Sequence, residues 1–133
     1  MGLFSFRKEE RLCKKKHIRE LFKKGSSFYS FPFKVFLLPQ ADAALPHQVL
    51  ISVPGRNFKK AADRNLIKRR VREAYRLQKH KLPQSTSLAM GLIYSAREIM
   101  PFEEIQRKMI LSFGKIDKMV SSLNAGNKPA TPE

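Results

Sequence analysis

The chain has 133 residues, 42% of them hydrophobic, with 27 Lys and Arg against 11 Asp and Glu and a formal net charge of +16. That length allows one ordinary domain, and the hydrophobic share with ten Phe excludes wholesale disorder. So large an excess of cations points to a polyanionic partner, with nucleic acid ahead of anionic membrane.

A lone cysteine, Cys13, allows no internal disulfide and no cysteine zinc site, which suits a reducing compartment. The apolar runs Val35–Leu38 and Leu88–Tyr94 are far too short to cross a bilayer. Met1–Phe6 is apolar ahead of the first charges, the reverse of a secretory signal. The expected location is the cytoplasm.

In chain order, Lys14–Lys24 carries Ile18, Leu21 and Phe22 at helical spacing and meets Gly25, a helix stop. Phe31–Leu38 reads as a strand with Phe33, Val35 and Leu37 on one face and Lys34, Phe36 and Leu38 on the other. Pro32 belongs at its start or on an edge. A loop over Pro39–Pro46 precedes a second strand, Val49–Val53, closed by Pro54-Gly55. A long helix spans Lys60 to about Lys81, a strand spans Leu88–Tyr94, and a last helix starts at Pro101. A further short strand is sought near Arg56–Lys59. The polar tail Ser121–Glu133 reads as disordered. The expected domain is residues 7–120 with flexible termini at 1–6 and 121–133, and the class is α+β.

The charge is concentrated. Arg7–Lys24 has a net charge of +6 and Arg56–Lys81 of +9, whereas Gly25–Gly55 is neutral. At 100° per residue, Arg64, Asn65, Lys68, Arg69, Arg72, Arg76 and Lys79 share an arc of about 140° on the long helix. Ile67, Val71 and Ala74 form its opposite, apolar edge, and Tyr75 borders the arc. The acidic residues Asp63 and Glu73 lie outside the arc, so the basic side chains repel one another unless an anion is bound. Arginine suits phosphate because its planar fork donates in pairs, and Asn65 both donates and accepts. A membrane binder would need large apolar anchors opposite the basic face, but Ile67, Val71 and Leu77 are required by the sheet.

The run from Phe58 to Arg76, with Arg64-Asn65, Ile67-Lys68-Arg69 and Arg72-Glu73-Ala74-Tyr75, resembles the signature helix of the protein component of bacterial ribonuclease P. Arg11-Leu12 and Ile18–Gly25 are similar to that family's first helix. Leu66 and the Pro54–Asn57 run depart from its pattern. The resemblance implies an α-β-β-β-α-β-α two-layer sandwich with a left-handed βαβ crossover. It further implies a subunit of the ribonucleoprotein endonuclease that removes the 5′ leader of precursor tRNA.

On that resemblance, Arg64, Asn65, Lys68, Arg69, Arg72 and Arg76 face the catalytic RNA. Ile18, Phe22, Phe33, Phe36, Arg56, Lys59 and Lys60 bind the leader, although only one of Phe33 and Phe36 can face a common cleft. Magnesium is expected at the RNA active site, with no cofactor in the protein, no membrane partner and no small-molecule substrate.

His17, His47 and His80 are scattered, and no paired carboxylates stand at a useful spacing, so no catalytic residue is expected in the protein itself. The alternative reading is a ribosomal or other structured-RNA-binding protein.

Overall fold

The computed structural model describes residues 8–42, 44–84 and 86–126. Its elements are α1 (Lys15–Lys24), β1 (Ser26–Ser30), β2 (Phe33–Pro39), β3 (Gln48–Ser52), α2 (Ala61–Gln78), β4 (Leu88–Tyr94) and α3 (Phe102–Gly126). The four strands form one sheet in the order β1-β2-β4-β3. β1, β2 and β4 pair antiparallel in turn, and β3 pairs parallel with β4, so α2 is the crossover between two adjacent parallel strands.

The period-2 pattern of β2 sorts the sheet's faces. Phe33, Val35 and Leu37 join Met90, Leu92 and Tyr94 of β4 in the main core. Ile67, Val71, Ala74 and Tyr75 of α2 close over them, with Ile105, Met109, Phe113 and Ile116 of α3. Tyr75, at the border of the basic arc, is fully buried and packs edge-to-face on Phe113 with centroids 6.0 Å apart.

Among the described residues the other face is covered at one end only. There Leu21 of α1 is buried with Leu12 and Ala89, and Ile18, Phe36, Leu38 and Leu50 pack around them.

The third strand of the first half is β1, not a segment near Arg56–Lys59, which is turn and irregular chain. β1 shows no apolar alternation because its three positions on the core face are Ser26, Phe28 and Ser30, opposite Leu37, Val35 and Phe33. Ser30 is buried and bonded to Ser112 of α3, Oγ to Oγ at 3.0 Å. α3 continues to Gly126, past the boundary expected at 120. Val120 packs in the core, and adding further turns to an existing helix costs little. Residues 1–6 and 127–133, also expected to be flexible, lie outside the described residues.

Two long-range polar contacts fasten the ends of elements. Lys79 Nζ, on the turn after α2, donates to Glu10 Oε1 at 2.5 Å, and both side chains are largely buried. His47 Nδ1 accepts from the Leu88 backbone N–H at 3.1 Å, and Nε2 donates to Pro83 O at 2.7 Å. Acceptance at Nδ1 needs the neutral imidazole, and burial holds its pKa below the usual histidine value although the bond to Pro83 O opposes that shift.

Candidate nucleic-acid interface

α2 carries the first surface. Its core edge fixes which side chains point outward. Asn65, Arg69 and Arg72 are exposed and Lys68 is half-buried; none of the four side chains has an ion pair or hydrogen-bond partner among the described residues. At positions i, i+4 and i+7, Asn65, Arg69 and Arg72 share one strip. Three neighbouring cations, Lys68, Arg69 and Arg72, with no protein counterion are a poor arrangement for folding and a good one for a row of phosphates.

The other members of the arc are already engaged. Arg64 Nη1 donates to Phe58 O at 2.7 Å and Lys59 O at 3.0 Å, so this guanidinium closes the connection ahead of α2. Arg76 pairs with Glu73 one turn earlier. That hydrogen bond holds the Glu73 carboxyl below its usual pKa and raises the arginine. Lys79, assigned to the same arc from its angle, is turned to Glu10. The cationic surface is therefore narrower than the helical wheel implies and centres on Arg69. Leu66 is half-buried and belongs to neither core cluster.

The second surface lies on the opposite face of the sheet. Leu21 is the buried member of α1, which leaves Phe22 38% exposed. Phe22 meets Phe36 edge-to-face with centroids 4.7 Å apart, and Lys34 Nζ stands 5.8 Å from the Phe36 centroid. Gly91 permits this contact: a β-carbon there would lie 3.3 Å from Leu21 Cδ2 and 3.7 Å from Phe22 Cε1.

Phe33 does not join Phe22 and Phe36. It is 0% exposed and packs against Tyr94 with centroids 6.3 Å apart, which corrects its assignment to the leader site. The pleat decides this: a residue three positions from Phe36 must face the other way. Ile18 is half-buried and serves mainly to seat α1 on the sheet.

Strand register locates the uncovered part of this face. Tyr29, Lys34, Ile93 and Ser52 form one row across β1, β2, β4 and β3. Tyr29 and Lys34 are exposed, and Ile93 and Ser52 half-buried. Arg56, Lys59 and Lys60 are exposed in the connection that leaves β3 just beyond Ser52. Sequence periodicity does not reveal Tyr29, because it does not reveal β1. The adjacent aromatics of Ser27-Phe28-Tyr29-Ser30, residues that favour strands, are the signal that could have found it.

The geometry offers two ways to hold RNA: an unpaired cationic strip for phosphates, and an aromatic pair with nearby cations for an unpaired strand. Among the described residues no three His, Cys, Asp or Glu side chains are grouped to hold a metal ion, and no helix is long and apolar enough to cross a membrane.

A family model described as Ribonuclease P matches residues 6–117. The Ribonuclease P protein component of Porphyromonas gingivalis is 31% identical over 134 residues, covering 96% of this chain and 92% of that protein. The solved RNase P protein of Thermotoga maritima superposes with a TM-score of 0.69 at 25% identity, over 80% of this chain and 97% of the other. That of Staphylococcus aureus gives 0.66 at 25% identity, over 82% and 95%.

Proposed function

The chain belongs to the ribonuclease P protein family, and from that premise we infer that its two surfaces take two different RNAs. Membership makes it the protein subunit of the ribonucleoprotein endoribonuclease that processes the 5′ end of tRNA, partnered with the ribonuclease P RNA. No observation favours the ribosomal alternative.

In the reading we propose, Asn65, Lys68, Arg69 and Arg72 grip the catalytic RNA. Arg64 and Arg76 play secondary parts there. Phe22 and Phe36, with Arg56, Lys59 and Lys60, hold the leader of precursor tRNA. Magnesium acts at the RNA active site, held by RNA and substrate phosphates, and the protein works in the cytoplasm.

The observation that carries this reading is the separation of the two surfaces. The free cations of α2 lie on the layer that covers the core face of the sheet, whereas the Phe22–Phe36 pair lies on the other face. Stacking on aromatic rings tolerates any base, as a protein meeting many leaders requires, and is worth about 1–3 kcal/mol per base.

The test is binding and cleavage by the assembled holoenzyme at low magnesium, with Phe22→Ala and Phe36→Ala. Each substitution is expected to weaken binding of leader-bearing precursor roughly tenfold. Mature tRNA, which lacks a leader, is expected to bind as it does to the unaltered holoenzyme. Equal losses for both RNAs would remove the leader assignment.

A further inference from the structure

We propose that Tyr29 and Lys34 form an additional nucleotide-binding position on the leader path, separate from the one at Phe22 and Phe36. This rests on the leader reading above and extends it across the sheet to the edge strand β1.

Tyr29 is 56% exposed, yet it is held. Its hydroxyl shares a hydrogen bond with Ser95 Oγ at 3.1 Å, and Ser95 Oγ donates to Pro32 O at 3.0 Å. Ser95 follows the last residue of β4, while Tyr29 belongs to β1. The side chain therefore reaches from the edge strand past the start of β2 to the end of β4. A large, exposed ring tethered at its tip loses little further freedom when a base stacks on it. An aromatic residue that only filled the core would be buried, as Phe33 is on the adjacent strand.

Register sets the spacing. Tyr29 lies directly opposite Lys34, and Ser27 opposite Phe36, so Tyr29 is the diagonal neighbour of Phe36. Such neighbours stand about 7–8 Å apart, which keeps two stacked bases on separate platforms. Lys34 stands beside both, opposite one and two residues before the other, where its ammonium can meet the phosphate linking the two bases. Lys34 has no acidic partner among the described residues. A base on Tyr29 and a phosphate on Lys34 together make a position for one nucleotide of an unpaired strand, read by stacking and charge and not by base identity.

The test uses holoenzyme and precursor tRNAs whose leaders lengthen one nucleotide at a time. Affinity for the unaltered holoenzyme is expected to rise in steps along the series. Tyr29→Ala is expected to remove one step of roughly tenfold. Tyr29→Phe, which keeps the ring, is expected to retain most of that step. Lys34→Ala is expected to lower the slope of log affinity against log salt by about 0.7, the value for one single-strand phosphate. Undiminished affinity for the catalytic RNA checks that each variant is folded.

An unchanged series with Tyr29→Ala would overturn the proposal, as would a Tyr29→Phe loss equal to that of Tyr29→Ala. In either case a step removed by Phe36→Ala would leave the leader reading standing. If Phe36→Ala and Phe22→Ala remove no step either, the leader reading itself fails.

Discussion

Replacing Lys68, Arg69 and Arg72 together with alanine is expected to weaken binding of the catalytic RNA by about a thousandfold at low salt. Each side chain is taken to make one charge-assisted hydrogen bond to phosphate, worth roughly 1.5 kcal/mol at the low end of the range. The salt dependence should flatten by about 0.7–0.9 log units for each phosphate no longer neutralised. Folding stability should hold or rise, because the substitutions relieve like-charge repulsion and place the best helix former on an exposed helix. Arg76→Ala serves as the internal comparison. Its guanidinium is already paired with Glu73, so its removal should cost far less than that of Arg69. A triple variant that binds the RNA as tightly as the parent would show that α2 does not hold the RNA. Binding titrations at several salt concentrations read all of these outcomes.

Gly25→Ala is expected to destabilise the protein by about 3 kcal/mol, near the upper end for overpacking. A β-carbon at this position would lie 2.4 Å from Leu21 O and 2.8 Å from Leu37 O. Both obstacles are backbone atoms, one on α1 and one on β2, so neither can swing aside. The residue is needed for close approach and not for a left-handed helix cap: its φ is −74° and ψ 157°, ordinary extended backbone. Opening this junction also moves Phe22 relative to Phe36. Leader-bearing precursor should therefore bind more weakly even at temperatures where the variant remains folded. Gly91→Ala should be milder, because its nearest obstacle is a Leu21 side-chain methyl at 3.3 Å. Urea unfolding midpoints for the two variants measure the difference, and an unchanged midpoint for Gly25→Ala would refute the packing account.

Strong local pattern makes much of this fold legible. The alternation of β2 assigns Phe33 and Phe36 to opposite faces, and the apolar run of β4 matches its limits at Leu88 and Tyr94. Local pattern does not say which face of β2 the helices cover, since both Phe33 and Phe36 are aromatic. Only the packing of α2 and α3 decides that Phe33 is core. β1 stays hidden because a strand needs an apolar stripe to be seen, and here two of the three positions on the core face are serines, Ser26 and Ser30, the second bonded to α3.

The basic arc is visible as composition but not as a set of free charges. The partner of Lys79 is Glu10, distant in sequence, so no window along the chain reveals the pair. The Glu73–Arg76 pair is within reach, being one helical turn apart, once a 60° offset is recognised as close enough for long side chains to meet. What remains after these engagements, Asn65, Lys68, Arg69 and Arg72, is the part of the arc that tertiary structure leaves for RNA.

The central claim is that opposite sides of this small sheet hold different RNAs. The most direct measurement is site-directed crosslinking in the assembled holoenzyme, with a photoreactive group placed at position 69 or at position 22. Position 69 is predicted to label the ribonuclease P RNA, and position 22 the leader of bound precursor tRNA. Crosslinks from both positions to the same RNA would contradict the account.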